Sequence, residues 1–512
     1  YKSFGEAQSV FEKLRASGDH SEAVTYGLAL TLESQGYSLV GGSGGGRGTA
    51  AQLQQAANLL RPMVYGQHPS RRVRLLYADD LNILSHAQPL ETGVTSCDEA
   101  RKILAGLGAL DLSDLNATAS YADTADSEAR ELLTLGRIAE AQKLEQQVYD
   151  LAEKVLAQRP GDLHALADRS WAAELIGVLA NRQHDDATAA EYANRTVQAG
   201  EDEVRFNPSD LGSWSRWATG LRRVADLQLD RGEVNAAIAT MRSLLALEQD
   251  KRRPSSLGST VWFQWIQLAE LQAQTGDSAG AAQSLKNFVH DAGEVAVPLT
   301  ENDARHRLLT DSGQGIGAML QLIEGAPQAA FTNAAEVVKR IGTVEAKRGT
   351  NGYLMKRNML DGNLATASMA AIRVDRYAPA EALARQWLAV PADPTSENDP
   401  HIRTSRIRAV LAHAIAMQGR SDEAQKILQP ALAWYQQEQK AGEHDTLFRQ
   451  DFAYALYVSA IASPAGAAGQ TQRKRALADA AAQIAGASAE AQRMADMREV
   501  SRLIVAANTS SQ

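Results

Sequence analysis

The sequence predicts an all-α solenoid of helix–turn–helix repeats, and three observations support this fold class. Good helix formers dominate the chain, chiefly Ala, Leu, Gln, Glu and Arg. Alternating Val/Ile/Thr-rich runs, which are typical of strands, are missing. One pattern of apolar, small and turn residues also recurs along most of the chain, as expected when each repeat is a helix pair that stacks on the next.

Composition places the chain among folded polypeptides and narrows its partners. Its 512 residues are 44% hydrophobic and 22% charged, which suits several domains or one long repeat array. The net charge is −9, so the chain lacks the excess of basic residues with which proteins bind a phosphate backbone. We therefore expect no direct nucleic-acid partner. Cys97 is the single cysteine, which excludes an intrachain disulfide framework and any CxxC metal or redox motif.

The sequence also bears on location. No apolar run approaches the roughly 18 residues that span a bilayer. We therefore expect a soluble chain without a membrane span, cytoplasmic by default, with the exported side of a membrane as the alternative. Because Tyr1 stands where an initiator Met is expected, we interpret the chain as a piece of a longer polypeptide.

The clearest repeat lies between Val261 and Val289. Its pattern predicts one helix, a tight turn at Gly276 and a second helix. Small residues at Ala269 and Ala281 would let the two backbones approach closely. Larger side chains fill the seam between the helices: Trp265, Leu268 and Leu285. Phe288 is the aromatic residue of the second helix.

The Gly276 turn has equivalents along the chain. They fall at Gly18, Gly136, His184, Gly232, Gly325, Asp375 and Gly419. Five residues after each turn the residue is Ala: Ala23, Ala141, Ala189, Ala237, Ala281, Ala330, Ala380 and Ala424. Seven residues before each turn the residue is small, except for Phe11 in the first repeat. These small residues are Ala129, Gly177, Ala225, Ala269, Ala318, Ser368 and Ala412. Between Gly18 and Gly136, residues 71–87 and 97–110 predict a degenerate helix pair.

The order bulky, small, turn, Ala and aromatic resembles the tetratricopeptide repeat (TPR) family over most of residues 1–460. The resemblance implies a right-handed solenoid. Turns from Gly136 onward are 44 to 50 residues apart, against the 34 of the family consensus. We therefore expect longer helices or connections. Long, Ala-rich repeats of this kind are similar to the C-terminal regions of bacterial multi-domain signalling proteins, which carry an N-terminal output domain.

The TPR resemblance implies a concave groove that binds a protein or peptide, without a cofactor or a catalytic residue. It also implies which residues of the first helices face this groove. They are Arg222, Asp226, Phe263, Ile266, Glu270, Arg406 and His413.

Composition suggests three segments. Residues 1–130 are predicted as degenerate helical repeats with a Gly-rich linker at 41–48, and residues 131–460 as the TPR-like solenoid. Residues 461–512 are less bulky and amphipathic, and we interpret them as capping helices.

The Gly-rich stretch "GGSGGGRGT" supports the main alternative, an enzyme with a nucleotide or hydrolase site. It partly matches a P-loop, but Arg47 replaces the Lys and Gly48 is inserted. It also matches a nucleophile elbow at Ser43 and part of a dinucleotide fingerprint. Since each motif needs a parallel sheet that the sequence does not predict, we favour a flexible linker. A self-assembling structural subunit is the third alternative.

Other polar clusters are interpreted as solvated turns or helix ends. Two contain histidine and acidic residues: His184–Asp186 and His444–Asp445. Three are basic: 71–74, 251–253 and 473–475. There is no HExxH motif and no paired Cys/His cluster, so no metal site is expected.

Aromatic residues concentrate between Trp214 and Trp265 on two successive first helices. Exposed aromatics beside Arg are typical of a protein-binding hot spot. Core packing is the favoured interpretation, because a bulky aromatic is the expected repeat residue.

These assignments predict different effects for two neighbouring substitutions. Trp265→Ala should lower stability by about 3–5 kcal/mol, because it removes a core aromatic side chain. Phe263→Ala should weaken ligand binding with little unfolding. Thermal denaturation of both variants tests this, and an equal loss of melting temperature would reject the assignment.

Overall fold

The computed structural model describes residues 2–40, 48–254, 264–296, 304–347, 351–391 and 400–509. These ranges contain 22 α-helices and no β-strand, which confirms the all-α prediction. The chain divides into two compact units, Tyr1–Gly220 and Leu221–Gln512.

Unit 1 contains nine helices and the first part of a tenth. They are α1 (Lys2–Ala16), α2 (Glu22–Val40), α3 (Gly48–Val64), α4 (Arg71–Ser85), α5 (Leu90–Ala105), α6 (Leu115–Thr134), α7 (Ile138–Gln158), α8 (Leu163–Arg182), α9 (Asp186–Phe206) and α10 (Leu211–Asp230). The end of α10 belongs to unit 2, which continues with α11 (Val234–Ala246), α12 (Gln264–Thr275), α13 (Ser278–Ala296), α14 (Ala304–Ile323), α15 (Pro327–Gly342), α16 (Asn351–Arg373), α17 (Tyr377–Ala389), α18 (Pro400–Ala416), α19 (Ser421–Ala441), α20 (Thr446–Ile461), α21 (Ala467–Ala485) and α22 (Ala495–Thr509).

The helices of each unit form two layers. In unit 1, α2 packs on α4, α4 on α6 and α6 on α8. In unit 2 the even-numbered helices from α12 to α22 pack in the same way, each on the next. The odd-numbered helices join these neighbours from the other layer. Such stacking of helix pairs is the solenoid arrangement that the repeats predict.

All eight predicted turn residues have a left-handed backbone. Their φ angles lie between 56° at Asp375 and 95° at Gly18. At Gly276 (φ 88°) the Asp277 N–H donates to the Gln272 carbonyl at 2.8 Å. The Gly276 N–H donates to the Ala273 carbonyl at 3.0 Å. These two bonds close the last helical turn and redirect the chain, which explains why glycine occupies six of the eight positions.

The seam positions are as tightly packed as the sequence predicts. Seven of the eight alanines that follow the turns are fully buried, from Ala141 to Ala424. Ala269 and Ala281 share one apolar cluster with Leu320 and Ile323. Small side chains therefore bring the two helices of a pair together, and larger ones lock them to the next pair.

The first repeat, made of α1 and α2, departs from this pattern, and the prediction that its Ala23 lies in the seam is wrong. Ala23 is exposed, and α2 packs with the even layer on α4. A Cβ atom on Gly27 would overlap the Phe11 ring, so the close contact between α1 and α2 occurs there instead. The α1–α2 pair is thus out of phase with the later repeats.

Long helices account for the wide repeat spacing in part of the chain, as the sequence predicts. Helices α6 to α9 are 20 or 21 residues long. The degenerate pair predicted before Gly136 is also helical, as α4 and α5. The predicted borders at 130 and 460 fall in α6 and α20 and stay predictions.

The Gly-rich stretch is only partly described. Residues 41–47 lie outside the described residues, and α3 begins at Gly48. The segment before it, Glu22–Val40, is a helix. A P-loop or a nucleophile elbow needs a strand at that place.

Two glycines of one repeat should respond in opposite ways to alanine. Gly276→Ala should lower stability by about 1–2 kcal/mol, because its left-handed backbone disfavours a Cβ atom. Gly293→Ala lies in α13, where a Cβ meets no atom within 4 Å, and should raise stability by up to about 1 kcal/mol. Urea denaturation measures both, and a stabilising Gly276→Ala would contradict the turn assignment.

Candidate functional site

The end of unit 2 returns to its beginning. The Ser488 hydroxyl donates to the Gly232 carbonyl at 2.8 Å, and Glu490 accepts from the Asn235 N–H at 3.1 Å. The Gln274 side chain donates to the Asp496 carboxylate at 2.6 Å and accepts from the Asp496 N–H at 3.0 Å.

Because α22 also packs on α12, the even-numbered helices α12 to α22 form a closed ring. The side chains inside it are therefore enclosed on several sides.

A charged cluster occupies the inside of this ring. Arg406 on α18 donates to Asp451 on α20 at 2.9 Å. The Arg406 side chain remains 42% exposed, whereas that of Asp451 is 10% exposed. Glu270 on α12 and Asp496 on α22 lie close enough to interact electrostatically with each other. We refer to Glu270, Arg373, Arg406, Asp451 and Asp496 as the ring cluster.

Burial changes the acidity of these groups. It raises the pKa of Glu270 to about 7, the charge of Asp496 adds to this rise, and Arg406 opposes it. Burial likewise raises the pKa of Asp451 against the opposing effect of Arg406. Arg406 stays cationic, because Asp451 raises its pKa. The cluster thus combines a fixed cation with carboxyl groups that resist ionisation.

Arg373 connects the cluster to the helix ends. Its guanidinium donates to Asp496 at 3.1 Å and to the Leu322 carbonyl at 2.8 Å. Glu499 lies 4.0 Å away on the same side of α22. Arg373 therefore helps to hold α22 against the ring.

The structure encloses His413 more than a groove residue requires. It is 3% exposed, and its Nδ1 lies 2.7 Å from the Tyr454 hydroxyl. The Tyr457 ring is 5.5 Å from it, edge on. Burial lowers the pKa of His413 to about 4, so the imidazole is neutral at pH 7. His413 is therefore packed against the side chains of α20.

The other predicted groove residues are distributed along unit 2. Asp226 accepts from Gln267 at 3.0 Å and pairs with Arg222 at 3.6 Å. Ile266 is half-buried and packs on the Phe288 cluster. Phe263 lies outside the described residues. Only Glu270 and Arg406 are brought into one cluster, and the role of all seven residues in binding stays a prediction.

Sequence analysis missed Asp451, Asp496 and Arg373. Asp496 lies in the predicted capping segment, far from any repeat. Arg373 and Gln274 each lie two residues before a turn residue, and both contact Asp496. That shared position is the one signal in the sequence, and it points to Arg373 but not to Asp451 or Asp496.

The aromatic cluster is largely core where the structure describes it. Trp214 is fully buried and donates to the Pro208 carbonyl at 2.9 Å. Trp265 is partly buried and donates to Asp291 at 2.9 Å. The favoured core interpretation is confirmed for Trp214.

The two polar clusters that contain histidine have structural roles. Asp185 caps α9 through the Thr188 N–H at 3.1 Å, after the left-handed His184. His444 Nδ1 lies 2.7 Å from the Gly442 carbonyl. Across the described ranges, no group of three or more His, Cys, Asp or Glu could hold a metal ion. None of the helices in those ranges has the length and apolarity that crossing a bilayer requires.

Comparison with known proteins adds only distant likenesses. No protein-family model matches the chain, and no curated protein matches it. A crystal structure of Rap protein complexed with competence and sporulation factor is similar at TM-score 0.34 and 11% identity, over 72% of this chain and all of that one.

Two IFIT1 structures are similarly distant. The human IFIT1 dimer with m7Gppp-AAAA has TM-score 0.35 and 13% identity, over 99% of this chain and 94% of that one. A monomeric IFIT1 mutant with Gppp-AAAA has TM-score 0.36 and 13% identity, over 99% and 95%.

These likenesses are too remote to carry an argument about function. The class rests on the chain's own helix pairs, left-handed turns and buried alanines. By these features it is a TPR-like helical-repeat protein.

The buried His413 should make stability depend on pH. Its folded pKa of about 4 lies below the ordinary value of 6.5, so the unfolded chain binds more protons between these values. The stability that neutral His413 contributes is therefore complete above about pH 6.5, and it falls as the pH is lowered, by about 3 kcal/mol at pH 4. Urea denaturation of the wild type and His413→Asn at both pH values isolates this contribution. Equal losses in both proteins would contradict it.

Proposed function

We propose that this chain is a non-catalytic scaffold that binds a protein or peptide inside the ring of unit 2. Following the resemblance of its repeats, we assign it to the interaction or sensory part of a longer bacterial signalling protein. The ring cluster would be the recognition site.

The observation that carries this proposal is the exposure of Arg406 inside an otherwise enclosed ring. A charge in such a place loses hydration, and an ion pair recovers this cost only partly. Apolar residues would stabilise the ring at least as well. A cation that pairs with Asp451 and still exposes 42% of its side chain is suited to bind a further group.

The mixture of charges favours a polypeptide ligand. Arg406 and Arg373 offer N–H donors, whereas Glu270, Asp451 and Asp496 offer acceptors. A peptide backbone presents both kinds of group, so it can satisfy such a cluster. The rival proposals, a nucleotide or hydrolase enzyme and a self-assembling subunit, have no comparable observation in their support.

The experiment compares two neutralised ion pairs. Arg406→Gln with Asp451→Asn removes both charges of the inner pair without leaving one buried alone. Arg385→Gln with Glu423→Gln is the control, because that pair lies on the odd-numbered helices α17 and α19 at 3.2 Å. Immobilised wild type and both variants are incubated with lysate of the source organism, and bound proteins are quantified.

We expect a protein that binds the wild type and the control, and whose capture falls at least about tenfold with the inner variant. Unchanged melting temperatures establish that all three are folded. Equal capture by both variants would reject the ring as the site. Light scattering that finds only self-association, with no captured protein, would favour the structural subunit.

A further inference from the structure

A second surface, independent of the ring, lies on the even-numbered helices of unit 1. Carboxylates there follow one another across four helices that pack in sequence, α2, α4, α6 and α8. We name them the acidic row: Glu33, Asp79, Asp80, Asp123, Asp126 and Asp168.

Electrostatic contacts join these residues into one continuous surface. The charge of Asp79 acts on Asp80, and that of Asp123 acts on both Asp79 and Asp168. Burial and, to a smaller extent, the charge of Asp79 together raise the pKa of Glu33 to about 7. Since like charges repel, the row is stable in this arrangement only with protons or cations bound.

The row's own partners compensate little of this charge. Asp126 pairs with Arg130 at 2.9 Å, and His164 lies near Asp123. Asp79 is held by a hydrogen bond to Ser120. Asp123 is exposed, and Glu33, Asp79 and Asp168 are partly exposed, so a ligand has access to members on all four helices.

Asp80 gives a second and separate indication. Its side chain is fully buried beside Glu33 and Asp79, and neither carboxylate oxygen has a hydrogen-bond partner. A buried carboxyl group without a partner costs free energy that folding alone does not recover. A cation bound to the row would recover part of it.

We propose that the acidic row binds an extended, Lys- and Arg-rich segment of another polypeptide. Packed helices are 8–10 Å apart, so four of them carry the row over roughly 25–30 Å. An extended chain covers this length with about eight residues. Metal ions and short polyamines match the charge but not the length.

An aromatic residue lies next to the row. Trp171 follows Asp168 by one helical turn and is 40% exposed. The guanidinium groups of Arg130 and Arg216 lie 5.4 and 5.6 Å from its ring. The ring is thus already engaged in cation–π contacts with two arginines of this chain, and it marks one end of the row.

The test uses two triple variants with the same change in net charge. Asp79→Asn, Asp123→Asn and Asp168→Asn neutralise the row on three helices. Glu140→Gln, Asp150→Asn and Glu201→Gln neutralise exposed residues of α7 and α9 and form the control. The probe is a fluorescein-labelled peptide in which Lys and Gly alternate over about ten residues, titrated by fluorescence anisotropy.

We expect the peptide to bind the wild type and the control with similar affinity, and to bind both more weakly at high salt. Its affinity for the row variant should be at least about tenfold lower than for the wild type. A peptide with Glu in place of Lys should not bind. The row variant should melt close to the wild type, because the relief of repulsion offsets the lost contacts with Ser120 and His164.

Three results would overturn the proposal. They are equal affinity of both triple variants, no binding to the wild type at low salt, and displacement of the peptide by spermine or Ca²⁺ at lower concentration than unlabelled peptide. The last would assign the row to a small cation.

Discussion

The left-handed residue that ends the first helix in eight of the helix pairs is the constraint on which the structure depends. It reverses the chain within a few residues and closes the helix with two hydrogen bonds, as at Gly276. The second helix then starts beside the first, and a buried alanine such as Ala281 sets how closely they approach. Without this turn, the two helices would not pack together. The pair could then not stack on its neighbours, and this stacking is what buries its apolar face.

The closure of unit 2 follows from this stacking and changes the chemistry of its interior. Once α22 contacts α12, charges on the first and the last even helices face one another. Glu270 and Asp496 are 226 positions apart in the chain, yet the charge of Asp496 raises the pKa of Glu270. An enclosed space strengthens every electrostatic interaction and makes each unpaired charge more expensive. The ring cluster is thus a product of topology as much as of residue type.

Each unit carries a different charge pattern on its even-numbered helices. The ring cluster of unit 2 alternates cations and anions, so most of its charges have an opposite neighbour. The acidic row of unit 1 has mainly like neighbours, and its residue Asp80 has no hydrogen-bond partner. A repeat scaffold permits this difference, because the residues that hold the helices together are not those that face the layer surface.

The sequence by itself determined the helices, the turns and the seams, because each depends on residues within one helix pair. The left-handed turn at His184 and the burial of Ala424 were both predictable from spacing alone. Phe11 marked the first repeat as irregular, but the change of layer at α2 was not predictable, since it depends on packing against α4.

Only the tertiary structure decided which polar residues meet. The TPR resemblance implied that Glu270 and Arg406 face one groove, yet it gave no reason to join them with Asp451 or Asp496. The Gln274–Asp496 bond spans 222 positions, and the local periodicity of a helix contains no information over that distance. Burial, and with it the pKa of Glu270 and His413, exists only after the distant helices have packed.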